Sequence, residues 1–409
     1  MTKTIISILL FLISITVFSQ QETKHFSLQE AIDYALEHNR TAKNAQRDIE
    51  AAKQQKWETI STGLPQINAS IGYNKWLQQQ LSLIPAEFFG GNSGDFVEIA
   101  FGTKQSVNAK VTLEQKIFDG SYLVGLQSAK VFLDISRNAK EKTDLEVRKA
   151  VINAYGNVML AEQSVQILER NKAVLEKNLN ELTKIYENGL EEEESVEQLQ
   201  ITLSSVQSSL KNAIRLKTLA YQLFNITLGQ DLNTNSILTD TLESLTAQNI
   251  VLRLLDEDEN IENTIDYQIA VNDKISKALL LKLEKSKALP TINAFVNGVY
   301  DGYNDNFKFL KKEQPWLGSS LLGINMNIPI FSSLGRSAAT QRAKINLEKA
   351  QEDLTETEQK LKLQIATAKS DYQFAIEDYG NKKENLNLAG RIETKTRPSF
   401  LKALPQVLI

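Results

Sequence analysis

Leu64-Pro65-Gln66-Ile67-Asn68-Ala69 returns later in the same chain as Leu289-Pro290-Thr291-Ile292-Asn293-Ala294, and Ile117-Phe118 returns as Ile330-Phe331. Around each pair the order is the same. A long polar helical stretch meets a Leu-Pro break; an alternating strand, a loop and a second alternating strand ending in Ile-Phe follow; another long helical stretch closes the copy. Self-similarity on this scale marks a duplicated architecture and requires each copy to supply an equivalent unit. The second copy holds fewer residues between its two motifs, which places the length change in the loop, where it is tolerated best.

Proline usage sets what the copies can contain. The chain has 7 prolines in 409 residues, with none between Pro85 and Pro290 or between Pro329 and Pro398. Those intervals can hold long uninterrupted helices. Ser27-Leu28-Gln29-Glu30 fits a capping box after Phe26, and Ala31, Ile32, Ala35 and Leu36 follow at helical spacing, so a helix is expected from Ser27 to about Ser61. The stretch Ser121 to Glu187 lacks proline and places Leu160, Leu168, Leu175 and Leu182 among charges. As one helix it would reach about 100 Å, too long for a globular core, and it would need similar neighbours in a coiled-coil-like array. The alternative is a kink or break at Gly156.

Asn188-Gly189 then ends the helical pattern, since glycine is favoured just past a helix terminus. Glu191 to Glu194 suit the positive end of the next helix and read as a solvated helix start. That returning helix runs to Gly229, making residues 121–229 a long hairpin with Asn188, Gly189 and Leu190 at its tip. The polar stretch Asp231 to Asn260, with short elements such as Ile250 to Leu255, reads as a connector between the copies.

The strands alternate. Ile67, Ala69, Ile71 and Tyr73 are apolar against Asn68, Ser70, Gly72 and Asn74, and Val107, Ala109, Val111 and Leu113 alternate with Ser106, Asn108, Lys110 and Thr112. In the second copy Leu322, Ile324, Met326 and Ile328 alternate with Gly323, Asn325 and Asn327, whereas Phe295 and Val299 fall on the polar face of their strand. Such alternation fits a transmembrane barrel strand and also an ordinary half-buried sheet. Four strands cannot close a barrel, so a barrel requires several copies of the chain. Tyr73, Trp76, Tyr300, Tyr303 and Trp316 lie at the strand ends facing the loops, the arrangement of an aromatic belt at a membrane interface. The loops at roughly 77–105 and 301–318 would face outside the cell.

Met1 to Ser19 has Lys3, then an apolar run from Ile5 to Phe18, with Val17 and Ser19 spaced for signal peptidase. It reads as a secretory signal; a membrane anchor is the alternative, but the run is short for a bilayer. The chain has no cysteine, which excludes disulfides, thiolate metal sites and a lipid-modified cysteine. Its formal charge is −4, and mild acidity spread over a long chain argues against nucleic acid as a partner. Beyond the signal the histidines are His25 and His38, and His38 is expected on the polar face of the first helix. No phosphate loop or serine elbow is present, so no catalytic residue, cofactor site or metal site is assigned.

The stretches Ser27 to Ala45, Leu64 to Tyr73, Leu113 to Gly120, Tyr186 to Leu190, Leu289 to Tyr300 and Gly323 to Phe331, taken in order, resemble the TolC-like outer membrane efflux proteins over essentially the whole mature sequence. The resemblance implies a mainly α fold with β. A duplicated helix-strand-strand-helix unit would carry long periplasmic helical hairpins and four strands per protomer in a trimeric 12-stranded transmembrane β-barrel. It implies a homotrimer in the outer membrane of a Gram-negative bacterium, extending into the periplasm. There it would act as a passive duct for small molecules or polypeptides, working with a periplasmic adaptor and an inner membrane pump or ABC exporter. The family's Gly-Leu tip is matched by Gly189-Leu190, with Glu191 where a small residue often follows.

The resulting organisation is a signal peptide over 1–19; a first repeat over 20–229 with strands at about 65–75 and 105–117; a connector over 230–260; and a second repeat over 261–397 with strands at about 290–300 and 319–331. A tail over 398–409 departs from the repeat. Gly189 lies 71 residues after Phe118, so the same spacing from Phe331 predicts a tip glycine at 402, where the chain has Lys402 between Pro398 and Pro405. One permitted set of codons for these residues, read two bases later, restores a Gly-Ile tip at that place. A frameshift is therefore expected, with a genuine divergent tail as the alternative, and a form lacking the last returning helix is expected to assemble poorly. Competing readings of the whole are a periplasmic coiled-coil adaptor, which would frame one hairpin with β-rich modules, and a soluble coiled-coil interaction protein.

Overall fold

The computed structural model describes residues 23–256 and 260–403. The expected signal segment and Pro405 lie outside them. In chain order the elements are β1 (Lys24–Phe26), α1 (Leu28–His38), α2 (Arg40–Ser61), β2 (Gln66–Lys75), β3 (Leu81–Pro85), β4 (Phe96–Ala100), β5 (Gln105–Asp119), α3 (Gly120–Glu187), α4 (Glu193–Leu228), β6 (Ser236–Leu238), α5 (Leu242–Asn249), α6 (Arg253–Asp256), α7 (Ile265–Ser286), β7 (Thr291–Asn304), β8 (Trp316–Asn327) and α8 (Gly335–Ala403). Two compact units share them. One takes the described residues up to Ile49, Ser136–Ile269 and those from Glu356 on; the other takes Glu50–Ile135 and Ala270–Thr355.

The first unit is helical around one small core. Ser27 starts α1 through a capping box in which its hydroxyl accepts from the Glu30 N–H while Glu30 accepts from the Ser27 N–H at 2.8 Å. The single helix expected to Ser61 is instead two. Asn39 breaks it, because its side-chain oxygen accepts from the Thr41 N–H at 2.8 Å and so starts α2 afresh, while its amide donates to the Thr227 carbonyl at 2.7 Å. Gly229, at the end of α4, has φ +81°, and a Cβ there would lie 2.4 Å from the His38 carbonyl oxygen. Only glycine lets this helix end meet the α1–α2 joint.

Ala31, Ile32 and Ala35 of α1 bury against Val151, Tyr155 and Val158 of α3 and Phe224 and Leu228 of α4. The alanines keep the backbones close, and each large apolar side chain removed from water contributes about 1.5–3 kcal/mol. β1 pairs in parallel with β6 beside this core. The Tyr155 hydroxyl lies 3.0 Å from the Phe26 carbonyl and 2.9 Å from an Asp240 carboxylate oxygen, which also accepts from the Leu28 N–H at 2.7 Å. α3 passes Gly156 without a break. α8 continues through Pro398 to Ala403, into the tail that departs from the repeat.

The second unit carries an antiparallel sheet in the order β2-β5-β7-β8. The second strand of the first copy thus pairs with the first strand of the second, and β2 and β8 are its two edges. The loop expected at 77–105 contains a second, two-stranded sheet, β3 with β4. β7 runs on to Asn304 and β8 starts at Trp316, so the second loop is shorter than the 301–318 expected. The Ile-Phe pairs also differ. A register shift between Lys116 and Phe118 lets β5 continue to Asp119, opposite Thr291. β8 stops at Asn327 two residues before Pro329, which has no N–H to give a ladder, leaving Ile330-Phe331 outside the strand. Arg336 holds that turn by donating to the Pro329 and Ile330 carbonyls at 2.7 and 3.2 Å.

Candidate functional site

The register of the sheet gathers its apolar positions onto one face. Reading across the strands, Ile67, Leu113, Val296 and Leu322 form one row, and Ala69, Val111, Gly298 and Ser320 the next. Ile71, Ala109, Tyr300 and Gly318 follow, and then Tyr73, Val107, Gly302 and Trp316 at the end towards the loops. Away from the loop end the edges of this face are open: Ile71 is 82% exposed and Ile324 71%. The opposite face carries Asn68, Ser70, Asn108, Lys110, Thr112, Asn297 and Asp301, with the Asn108 amide donating to Asp301 at 2.6 Å. Phe295 and Val299, the two residues out of pattern, lie on this polar face, and the Phe295 ring lies where a side chain at Gly323 would stand. A sheet that is apolar on one side, polar on the other and unpaired at both edges can separate lipid from water once its edges find partners.

The aromatic residues singled out from the sequence divide between the faces. Tyr73, Tyr300 and Trp316 share the apolar face, and Tyr73 and Trp316 sit in its last row. Tyr303 falls on the polar face, in the row of Asn74 and Ser106, because it is one residue out of phase with Gly302. Trp76 lies just beyond β2, where its N–H donates to the Lys104 carbonyl at 2.8 Å. Sequence reasoning missed Phe307 and Phe309. The turn between β7 and β8 folds back over the apolar face, so that both rings pack edge-on to Tyr73 at 5.7 and 6.2 Å and Phe309 lies against Gly302. The alternation Phe307-Lys308-Phe309 was the available signal.

The hairpin tip is a separate element of the first unit. Gly189, with φ +76°, turns the chain after α3. Its N–H donates to the Tyr186 carbonyl at 2.8 Å, the Leu190 N–H reaches the Ile185 carbonyl at 3.1 Å, and the Asn188 amide caps Lys184 at 2.6 Å. These bonds fix the backbone and leave the Leu190 side chain 53% exposed. Glu191 accepts from the Ser195 hydroxyl at 2.7 Å, tying the start of α4 to the turn. The tip is thus a rigid turn presenting one apolar side chain beside carboxylates.

His38 stacks on Tyr34 with ring centroids 4.0 Å apart, and its Nδ1 lies 3.0 Å from the Tyr34 carbonyl. Among the described residues no group of three or more His, Asp or Glu side chains is placed to hold a metal ion. Among them, too, no helix is long and apolar enough to cross a membrane.

A family model described as outer membrane efflux protein matches residues 31–223. Among solved structures, the outer membrane protein VceC from Vibrio cholerae superposes with a TM-score of 0.58 at 15% identity, covering 81% of this chain and 75% of that one. CusC gives a TM-score of 0.62 at 15% identity, covering 87% and 78%. The MtrE outer membrane channel from Neisseria gonorrhoeae gives 0.56 at 17% identity, covering 84% and 72%. At these identities the likeness establishes the fold. No curated protein matches the chain by sequence.

Proposed function

We propose that this chain, whose residues 31–223 match the outer membrane efflux protein model, forms the outer membrane duct of a multi-component export system. The observation that carries the proposal is the four-stranded sheet with one continuous apolar face and two unpaired edges. Single-chain barrels need about eight strands or more, so a sheet of four closes only by joining β2 of one copy to β8 of the next. Three copies give the 12 strands that the family resemblance implies. The apolar rows then face lipid and the Asn, Ser and Lys rows line water.

The duct makes and breaks no bond in this reading. Cargo enters from an inner membrane pump or exporter, and a periplasmic adaptor docks at the tip formed by Asn188, Gly189 and Leu190. A wide polar passage contacts cargo weakly, so the pump rather than the duct selects it. The test is to express the full chain with its leader in a Gram-negative host. Recovery in the sarkosyl-insoluble outer membrane is the expected result, and a stable trimer by light scattering after extraction in mild detergent would at the same time overturn the expectation that this form assembles poorly. A soluble monomer would overturn the proposal and favour a coiled-coil interaction protein.

A further inference from the structure

The turn between β7 and β8 carries charge that closure of a barrel does not use. Lys308, Lys311 and Lys312 are exposed on it together with the carboxylates Asp305 and Glu313, leaving an excess of positive charge, next to Phe307 and Phe309, whose rings rest on the apolar face of the sheet. Leu310, between the lysines, is 90% exposed. The turn is held in place. The Lys311 N–H donates to the Lys308 carbonyl at 3.0 Å and the Gln314 N–H to the Lys311 carbonyl at 3.1 Å. The buried Gln314 side chain accepts from the Asn304 amide at 3.0 Å and donates to the Pro315 carbonyl at 2.8 Å. The lysines therefore sit on a fixed platform at the edge of the apolar face, and little ordering cost remains when they meet a partner. The neighbouring β3–β4 ribbon is opposite in kind: Glu87, Asp95 and Glu98 lie on it, with no lysine or arginine between Lys75 and Lys104.

We propose that the β7–β8 turn is a binding site for anionic lipid, with Phe307 and Leu310 entering the apolar layer and Lys308, Lys311 and Lys312 meeting headgroup phosphates. The inference rests on the reading that the apolar face of the sheet meets lipid. Continuity and charge single out this occupant. The apolar rows end in the Tyr73 and Trp316 row, the aromatic rings of the turn extend it, and the lysines follow where a bilayer changes from acyl chains to phosphate. Long lysine stems can cross that boundary while their ammonium groups stay in water, and ammonium donates strong hydrogen bonds to phosphate oxygens. Attraction of this kind amounts to about fivefold in partitioning for each basic residue near an anionic surface.

The full chain, extracted in neutral detergent, is loaded with phosphatidylglycerol or phosphatidylcholine, and retained lipid is counted by native mass spectrometry. The wild type should retain phosphatidylglycerol in preference, and the triple variant Lys308→Gln, Lys311→Gln, Lys312→Gln should lose that preference by at least about tenfold. Lys344→Gln, on α8, should keep it. A triple variant that enters the outer membrane and keeps the wild-type preference overturns this inference and leaves the duct intact. One whose trimer weakens while its lipid preference is unchanged shows that the lysines pair with the acidic ribbon of an adjacent copy, and also overturns it. Recovery of the wild type in the soluble fraction removes the duct and the lipid site together.

Discussion

The Tyr155 hydroxyl lies 2.9 Å from a carboxylate oxygen of Asp240, the same oxygen that accepts the Leu28 N–H at the start of α1. Three segments far apart in sequence thus meet at one acceptor within the first unit. Burial pushes the Tyr155 phenol far above the ordinary tyrosine range, and the Asp240 carboxylate adds to the shift, so the ring stays a neutral donor. Tyr155→Phe keeps the packing and removes the donor, leaving the Phe26 carbonyl and Asp240 short of a partner. A loss of about 1–3 kcal/mol is expected, read as a lower denaturant midpoint with an unchanged slope.

Two glycines with the same backbone conformation should respond differently to alanine. Gly189 and Gly229 have φ of +76° and +81°, but a Cβ at Gly189 meets nothing within 4 Å, whereas one at Gly229 lies 2.4 Å from the His38 carbonyl oxygen. Gly189→Ala should cost about 1–2 kcal/mol, the left-handed strain alone. Gly229→Ala should cost clearly more, since the α1–α2 joint must also move. Thermal unfolding of the two variants side by side checks the order, and equal losses would contradict it.

The capping box at Ser27 makes one acid-sensitive contact. The Ser27 backbone N–H, and then its hydroxyl, hold the Glu30 carboxyl below its ordinary value of 4.5. A depressed carboxyl stabilises the fold fully above its unfolded value, and that contribution disappears as pH falls through the lower folded value. Glu30→Gln keeps an acceptor for the Ser27 N–H but carries no charge. The melting temperature of the variant should therefore trail the wild type at neutral pH, and the gap should close as pH falls below about 4. A gap that is constant with pH would show that the charge contributes nothing there.

What could be read from the sequence follows from how locally each feature is determined. The duplicated strands are visible because a two-residue period is written in single side chains, as at Ile67, Ala69 and Ile71. The order of the strands is not, because the pairing of Lys110 with Val299 joins residues from different copies and leaves no local mark. The break at Asn39 was hidden for a similar reason. Asparagine is tolerated inside a helix, and only the Thr227 carbonyl, supplied by α4, shows why this one ends α1. Phe307 and Phe309 look like loop residues until the turn is seen to fold back on Tyr73. The unequal Ile-Phe pairs were the reverse case: repetition suggested equal strands, and Pro329 with its missing N–H overrode it.

The hairpin tip gives a prediction that separates docking from assembly. Leu190 is more than half exposed on a turn whose backbone bonds involve no atom of its side chain. Leu190→Ala should therefore leave the thermal stability within about 0.5 kcal/mol of wild type. If an adaptor docks here, the same variant should reach the outer membrane normally yet fail to restore export in a host lacking its own duct. Normal export by Leu190→Ala would move the docking surface elsewhere.

Adjacent residues of β2 provide the strictest test of which face meets lipid. Ile71 lies in the apolar row with Ala109 and Tyr300, whereas Ser70 lies opposite Lys110 on the polar face. The two side chains are one residue apart and both are exposed in the single chain, so a soluble sheet would accept lysine at either with little difference. In a barrel the positions are unlike. A lysine facing lipid costs about 2–4 kcal/mol at the middle of the hydrocarbon and less towards the Tyr73 and Trp316 row, and three copies would each carry one, whereas a lysine facing the lumen stays in water beside Lys110. Ile71→Lys should therefore sharply reduce the protein recovered in the sarkosyl-insoluble membrane, and Ser70→Lys should leave recovery near the wild-type level. Equal recovery of the two variants would mean that Ile71 does not face lipid.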